Sequence, residues 1–470
     1  GDARTGAARL TLAGMCLFAA LAAAWPSQAL AVPAGALLGL FLALELPALR
    51  LRERYLLAMA ACAFVIALAF APDPQTLLWR AAERAAYLGA FIALLSLLRA
   101  AAMTSQSVLE VGRFLPRQPP GRRYIAIAAG GHAMGVVLNF GALSLLAPLV
   151  QRGARASAGA DGAALTQLRE QRQLSALARG FSWFILWAPT SIGQVVAVAV
   201  VSGARAGAVA AAGAAVAFSV VAAGWVEDRF TGQAARRRLG LSGPSASRDA
   251  GPAPMREIRR LALIYVVLAA TAASAALLTG RSLVDGIMLS AAPATIAWIV
   301  AQHMAGRGGD GLRTALTGLY RNALPQGSPE AVTLALAGFV GTVLAGTVPV
   351  EALTTHLPAD SVPPLALYLG VLTLIPAVSS LGLPPMLTVT FIGALLSKAF
   401  GAAIDPNLLA LSLVMGWALN LTASPFGATN LILARTTGWP VSTLAFSWNG
   451  RFNAIAWTIC AAALALLAQM

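Results

Sequence analysis

The chain has 470 residues, of which 58% are hydrophobic and only 11% are charged. Soluble domains carry about 25% charged residues, so this composition excludes an ordinary globular protein. The 33 basic and 18 acidic residues leave a net charge of +15, which in a soluble protein would point to nucleic acid. Here the basic residues lie in loops between apolar segments. Membrane orientation therefore explains the charge, and we expect no nucleic-acid partner.

Apolar segments recur along the whole chain, and each could cross about 30 Å of hydrocarbon as a helix. We therefore predict an all-α polytopic membrane protein with about 11 transmembrane helices. The predicted spans cover residues 11–31, 33–49, 55–71, 77–98, 181–202, 206–224, 258–279, 282–303, 328–348, 406–433 and 452–469. Residues 1–32 are interpreted as a retained N-terminal helix, although Arg4 and Arg9 before an apolar core also fit a signal-like segment.

Basic residues are concentrated in alternate loops of this predicted topology. Together with Arg4 and Arg9, six segments hold 28 of the 33 basic residues. These segments are 50–54, 99–123, 151–179, 226–260, 306–321 and 435–451. Because short cytoplasmic loops are rich in Lys and Arg, the N-terminus is predicted in the cytoplasm of a bacterial-type inner membrane. The C-terminus is then extracytoplasmic.

Two apolar segments do not fit a simple crossing. Residues 124–150 have strongly basic loops on both sides, so they are predicted to enter and leave from the cytoplasm as a re-entrant hairpin. The glycine pair at 130–131, with Gly135, Asn139 and Gly141, is predicted to supply its tip. Residues 364–399 have acidic residues near both ends, Glu351 and Asp360 before them and Asp405 after them. They are therefore predicted to form a second re-entrant hairpin that enters and leaves from the extracytoplasmic side, with its turn at 378–385.

A helix broken near its middle follows each hairpin. The first is predicted at 181–202, with the sequence FILWAPTSIGQ, and the second at 406–433, with ALNLTASPFGATN. Two units, 33–225 and 258–470, thus share one order of elements in opposite orientation, joined by a cytoplasmic linker at 226–257. This arrangement is an inverted repeat, which is typical of secondary transporters.

Pro189 and Pro425 interrupt the two broken helices. Proline has no amide hydrogen, so each one frees backbone carbonyls, which are costly in hydrocarbon unless they line a polar cavity or contact an ion. Hairpin tips and half-helix N-termini can face an anion, while free carbonyls and hydroxyls can coordinate Na⁺. The candidate solute-binding residues are Asn139, Gly141, Thr190, Ser191, Ser379, Ser380, Ser424, Thr429 and Asn430. The candidate ion-binding residues are Asn139, Ser144, Gly193, Ser379 and Gly427.

With these hairpins and broken helices, the chain resembles the ion transporter superfamily, and most closely the divalent anion/Na⁺ symporter (DASS) fold. Members of that family carry SerAsnThr at each hairpin tip, whereas this chain has LeuAsnPhe at 138–140 and ValSerSer at 378–380. Only Asn139 and Ser379 match the signature. The resemblance implies an elevator mechanism, in which hairpins and broken helices move against a scaffold, and a homodimer.

The titratable residues near the hairpins and breaks allow more than one interpretation. His132, in the first arm of the first hairpin, could couple protons, or it could be a buried histidine with satisfied hydrogen bonds. Arg179 and Arg435 stand near the cytoplasmic ends of the broken helices. We interpret both as positive-inside anchors, with attraction of an anionic solute as the alternative.

The sequence as a whole predicts a secondary active transporter of a small anion, of carboxylate or sulfonate type, coupled to Na⁺ or H⁺. No spanning segment carries a central carboxylate pair of the kind that a cation/proton antiporter uses. We expect no enzyme, no resident metal and no cofactor, with Na⁺ as a possible coupling ion. A cation/proton antiporter or oxyanion exporter of the same superfamily, a membrane-embedded enzyme or lipid-linked-sugar assembly factor, and a channel remain as alternatives.

Overall fold

The computed structural model describes residues 2–156, 163–238, 252–309, 311–348 and 362–469. Within these ranges the ordered elements are all helical and no strand occurs. Ten of the described helices are long and apolar enough to cross a membrane. The predicted class, an all-α polytopic membrane protein, is confirmed.

Ten helices follow one another in the described part of the first half. They are α1 (Asp2–Ala24), α2 (Gln28–Glu45), α3 (Leu51–Phe70), α4 (Pro74–Met103), α5 (Gln106–Phe114), α6 (Pro120–Leu138), α7 (Gly141–Ala156), α8 (Ala163–Ser182), α9 (Ile192–Val200) and α10 (Ala206–Arg238). We call α6 and α7, with the turn between them, hairpin 1.

Nine longer helices make up the described part of the second half. They are α11 (Met255–Thr279), α12 (Leu283–Met304), α13 (Leu312–Gly318), α14 (Ser328–Thr347), α15 (Pro364–Ser379), α16 (Pro385–Phe400), α17 (Pro406–Ala423), α18 (Ala428–Thr437) and α19 (Gly450–Leu467). We call α15 and α16, with their turn at 380–384, hairpin 2. Glu351 and Asp360, used above to predict its side of the membrane, lie outside the described residues.

The first broken helix, predicted at 181–202, has different bounds in the structure. The first broken helix begins earlier, as α8, continues through a short turn at Phe184–Leu186, and resumes as α9. Residues 163–179 were assigned to a cytoplasmic loop because they are polar. They are helical, and from Gln173 onward they are buried against other helices, where Arg179 pairs with Glu227.

The predicted cytoplasmic linker at 226–257 is partly helical. Its first residues continue α10 to Arg238, and its last residues open α11. Glu227 and Asp228 are buried in α10 because Arg179 and Arg172 of α8 pair with them at 2.8 and 2.7 Å. Charge alone suggested a solvated loop, whereas paired charges are compatible with a packed helix.

Two groups of helices contact each other along α4 and α14. The first group contains α1–α4, α11, α12 and α14, and the second contains hairpin 1, hairpin 2, α8–α10 and α17–α19. Small residues let α4 and α14 approach closely, because a Cβ atom at Gly338 would lie 2.6 Å from Cδ1 of Leu88. Hairpin 1 touches the first group through α4, and hairpin 2 touches it through α14.

The tip of hairpin 1 differs from the prediction. Gly130 and Gly131 lie inside α6, and the turn falls at 139–140. The glycines serve packing, since a Cβ atom at Gly131 would lie 2.9 Å from Cδ1 of Leu177. Asn139 makes the turn with φ of +49°, the one positive value at a non-glycine residue of the described chain. The membrane side from which each hairpin enters stays a prediction.

Candidate functional site

The second broken helix is interrupted between α17 and α18, at residues 424–427, which we call the second break. Pro425 cannot donate to the carbonyl of Leu421, so the helical ladder ends there. The side-chain amide of Asn430 replaces lost donors, with Nδ2 donating to the carbonyls of Thr422 at 3.1 Å and Ser424 at 2.9 Å. The predicted ligand Asn430 therefore holds the break with one end of its amide. Its Oδ1 is buried without a partner among the described residues.

At the first break, residues 183–191, a side-chain hydroxyl takes the place of a missing backbone hydrogen-bond donor. Pro189 leaves the carbonyl of Ile185 without its helical donor, and the Ser191 hydroxyl donates to this carbonyl at 2.8 Å. The same oxygen accepts from the amide of Gln194, so Ser191 also caps α9. The Thr190 hydroxyl donates to the carbonyl of Val136 in hairpin 1. The predicted ligands Thr190 and Ser191 thus fix the break and its hairpin.

The two broken helices meet near their breaks. The hydroxyls of Ser182 and Thr429, at the end of α8 and the start of α18, are 3.3 Å apart and both residues are fully buried. On the other side, a Cβ atom at Gly193 would lie 3.7 Å from the ring of Trp417 in α17. These contacts bring together the two broken helices, at or just after whose breaks lie the predicted residues Thr190, Ser191, Gly193, Ser424, Gly427, Thr429 and Asn430.

Polar side-chain atoms without partners are concentrated on these helices. Both amide atoms of Asn420 in α17 are buried with no hydrogen-bond partner in the described chain, and Asn420 is only 1% exposed. Buried polar atoms are nearly always paired, because an unmade hydrogen bond costs about 1–3 kcal/mol. The other orphaned atoms here belong to Gln173, Ser175, Trp183, Gln194 and Asn430. We define Asn420, Asn430, Ser182, Thr429 and Trp183 as the crossing site.

Sequence reasoning missed several of these residues. Asn420 and Gln194 occur within the two quoted stretches, but they stand five residues from Pro425 and Pro189 and were not among the predicted ligands. Trp183 has an indole N–H that could have been recognised as a donor beside the first break. Gln173 and Ser175 were missed because α8 was assigned to a loop.

A second polar region lies at the tip of hairpin 1. A cavity of about 30 Å³ is lined there by residues of α4, hairpin 1, the first break and α14. This volume holds about one or two water molecules. Its polar lining residues are Ser96, Arg99, Asn139, Thr190 and Glu330. Arg99 and Glu330, which the sequence analysis did not select, form an ion pair with an N–O distance of 3.4 Å.

The remaining predicted residues lie apart from the crossing site. Within hairpin 2, the Ser379 hydroxyl donates to the carbonyl of Leu383 at 3.0 Å and the Ser380 hydroxyl donates to that of Pro376 at 2.8 Å. Both hydroxyls therefore stabilise the turn, and no hydrogen bond joins them to either break within the described ranges. Ser144 is exposed on α7. A solute or ion role for these three residues stays a prediction.

His132 is held by two hydrogen bonds. Its Nδ1 lies 2.9 Å from the carbonyl of Gly180, and its Nε2 accepts from the indole of Trp187 at 2.8 Å. This geometry requires a neutral ring with the proton on Nδ1. A second proton on Nε2 would face the indole hydrogen, so the pairing opposes the predicted role in proton coupling.

The sequence suggested that Arg179 is an anchor at the membrane interface, but the structure buries this residue. It is 4% exposed, and it donates to Glu227 and Asn449 at 2.8 Å each. Its guanidinium also lies 4.5 Å from the ring centre of Phe452. Arg179 therefore ties α8 to α10 and α19. Arg435, by contrast, is exposed on α18, as an anchor would be.

Glu170 joins α8 to hairpin 1 and to the segment after α18. Its buried carboxylate accepts hydrogen bonds from Arg155 at 2.6 Å, Trp439 at 2.9 Å and Gln151 at 3.0 Å. Burial alone would raise the pKa of Glu170, but these hydrogen bonds together hold the pKa below its usual value. The carboxylate thus joins α7, α8 and the segment after α18 as long as it stays ionised.

We expect the Glu170 carboxylate to make the stability of the folded protein depend on pH. A depressed pKa in the folded state adds stability above the unfolded value, about 4.5, and that stability is lost as the pH falls through the folded value. Thermal unfolding in detergent between pH 7 and pH 3.5 should show Glu170→Gln less stable than the wild type at pH 7, with a gap that narrows in acid. A gap that stays constant over this range would contradict the assignment.

Comparisons with known proteins were made by sequence and by structure. No family model and no curated protein matches the sequence. Among solved structures, the chain is similar to the Alcanivorax borkumensis YdaH transporter, with a TM-score of 0.57 and 16% identity over 88% of each chain. It is also similar to Neisseria gonorrhoeae MtrF, described as one of a class of antimetabolite efflux pumps, with a TM-score of 0.56 and 12% identity over 88% of this chain and 94% of that one. The chain therefore shares the fold of these two membrane transporters.

Proposed function

We propose that this protein is a secondary active transporter that moves a small anion, of carboxylate or sulfonate type, across a lipid bilayer. The observation that carries the proposal is the crossing site. Two interrupted helices meet there, and polar atoms with no partner among the described residues are buried beside both breaks. Such atoms are costly in an apolar interior, and a polar solute or a hydrated ion would supply the missing partners.

The available groups suit an anion and a cation together. The Trp183 indole and the Asn420 amide nitrogen are donors, and α9 and α18 begin beside the breaks with the positive ends of their dipoles. The side-chain oxygens of Asn420 and Asn430, with the hydroxyls of Ser182 and Thr429, are neutral oxygen ligands of the kind that coordinate Na⁺. These groups favour coupled movement of an anion with Na⁺, and H⁺ is the alternative coupling ion.

The division into two helix groups supports alternating access. Hairpins 1 and 2 with the broken helices would form the moving part, and the group around α4 and α14 would form the scaffold of a homodimer. The proposal includes an elevator motion of the DASS type, an N-terminus in the cytoplasm and a C-terminus outside a bacterial-type inner membrane. Movement of the crossing site past the scaffold would expose it alternately to each side.

We expect Asn420→Leu to abolish transport without destabilising the protein. Leucine has a similar volume, and it removes two buried polar atoms that have no partner within the described chain. The thermal unfolding midpoint in detergent should stay the same or rise, while proteoliposome uptake should fall at least 100-fold. Succinate, benzoate, citrate and methanesulfonate, each with and without a Na⁺ gradient, form the substrate panel.

The control for this variant is Ser412→Ala. Ser412 is also buried in α17, but its hydroxyl donates to the carbonyl of Leu409 within the same helix. This variant should transport at the wild-type rate. Normal transport by Asn420→Leu would remove the crossing site from the proposal, and a wild type that moves no anion of the panel would overturn the proposed function.

Export is a second candidate for the direction of movement, because one protein of the same fold is described as an efflux pump. Uptake into vesicles of right-side-out and inside-out orientation separates the two directions. Accumulation only in inside-out vesicles would assign export.

A further inference from the structure

The cavity at the tip of hairpin 1 contains a charge pair that the crossing site does not use. Arg99, near the end of α4, and Glu330, in the first turn of α14, both line it, together with Asn139 and Thr190. Thr190 is already bonded to hairpin 1. The Asn139 side chain makes no hydrogen bond with any described residue, so its amide is free to meet a ligand.

Arg99 is placed directly against the tip. A Cβ atom at Gly141 would lie 2.9 Å from Cδ of Arg99, so the stem of the arginine packs on the backbone where α7 begins. The guanidinium of Arg99, which lines the cavity, therefore brings positive charge beside the turn of hairpin 1.

The ion pair between Arg99 and Glu330 is weak enough for another carboxylate to replace Glu330. It rests on one N–O contact of 3.4 Å, and the two side chains are 24% and 42% exposed. A single long contact between partly exposed side chains contributes little to stability. The guanidinium has five N–H donors, and a carboxylate can accept two of them in parallel. A carboxylate brought to the tip could therefore displace Glu330 at little cost.

We propose that Arg99 is the countercharge for the anionic group of the transported solute at the tip of hairpin 1, and that Glu330 holds Arg99 in place between solutes. This inference rests on the proposed function, and it names the residue that gives preference for anions. Arg99 belongs to the helix group interpreted as scaffold, whereas Asn139 belongs to hairpin 1. The solute's charged group is thus held where the two groups meet, and its remainder extends toward the first break, where Thr190 lies.

Binding of charged and neutral analogues tests the role of Arg99. The probes are benzoate, succinate and methanesulfonate, each beside its neutral amide, and dissociation constants are measured on the purified full chain in detergent. Arg99→Gln should weaken binding of the anions at least tenfold and leave the amides unchanged. Arg99→Lys, which keeps the charge but not the paired donors, should lose about threefold for the carboxylates. If Arg99→Gln does not fold, Arg99→Lys decides.

Two further variants separate ligand binding from structure. Glu330→Gln removes the competing negative charge and should tighten anion binding about threefold, whereas a purely structural pair would make it as harmful as Arg99→Gln. Arg113→Gln is the matched control, because Arg113 is an exposed arginine of the neighbouring α5 and its loss should change nothing.

The outcomes distinguish this inference from the proposed function. If Arg99→Gln binds anions as well as the wild type while Asn420→Leu does not, the inference is overturned and the proposed function stands. If Arg99→Gln loses anions and amides equally, Arg99 is a structural residue and the inference is also overturned. If the wild type binds none of the anions, the proposed function fails, and the inference fails with it.

Discussion

Arg179→Met should destabilise the protein by about 3–5 kcal/mol, the effect of breaking a buried ion pair from one side. The substitution leaves the carboxylate of Glu227 buried without its partner, and it removes the donor to Asn449. Methionine has a similar length, so the loss comes from charge and hydrogen bonding more than from volume. The measurement is the thermal or denaturant unfolding midpoint in detergent, with the monodisperse fraction on size exclusion as a second readout.

Arg435→Met supplies the control for this prediction, because Arg435 ends the other broken helix but is exposed. Its loss should change stability by less than about 0.5 kcal/mol. The double variant Arg179→Met with Glu227→Gln should recover part of the lost stability, since the second change removes the buried charge. Equal stability of Arg179→Met and Arg435→Met would show that the buried pair contributes nothing.

Gly427→Ala should impair transport, because only glycine at this position lets the backbone of the second break pack against the end of α17. A Cβ atom here would lie 2.5 Å from the carbonyl oxygen of Asn420 and 2.9 Å from that of Leu421. Both are backbone atoms, so the clash moves the end of α17 rather than a flexible side chain. We expect transport to fall at least tenfold and stability to fall by about 1–3 kcal/mol.

Gly450→Ala is the matched substitution for this experiment. Gly450 opens α19, and no atom lies within 4 Å of the position that its Cβ atom would occupy. This variant should keep both transport and stability, since alanine favours a helix more than glycine does. Transport by Gly427→Ala at the wild-type rate would mean that the exact shape of the second break is not needed.

Much of the fold follows from local features of the sequence. Apolar length predicted a helix at each of the ten candidate spans of the described chain, because the backbone can satisfy its hydrogen bonds in hydrocarbon only in a helix or a closed barrel. Pro189 and Pro425 marked both breaks, since the loss of an amide donor acts wherever a proline stands in a helix. Asn139 was also selected, and it is the residue that forms the turn of hairpin 1.

The errors at α8 and at the end of α10 share one physical cause. α8 and the end of α10 were assigned to cytoplasmic segments because they are rich in charge, yet Arg172 and Arg179 pair with Asp228 and Glu227 across the two helices. The sequence shows that a charge is present, but not which opposite charge it will meet. A segment that forms buried ion pairs and a solvated loop can therefore have the same composition. Only the packing of the folded chain distinguishes them.

The sequence by itself determined the membrane class, the two interrupted helices and the small and polar residues beside each proline, because these depend on neighbours along the chain. Only the tertiary structure decided that Ser182 meets Thr429, that Asn430 bonds across the second break and that Asn420 has no hydrogen-bond partner in the part of the chain that the structure describes. Those facts depend on which helices pack together and at what register. For the same reason, only the structure shows that Arg99 of α4 and Glu330 of α14 line one cavity with the tip of hairpin 1.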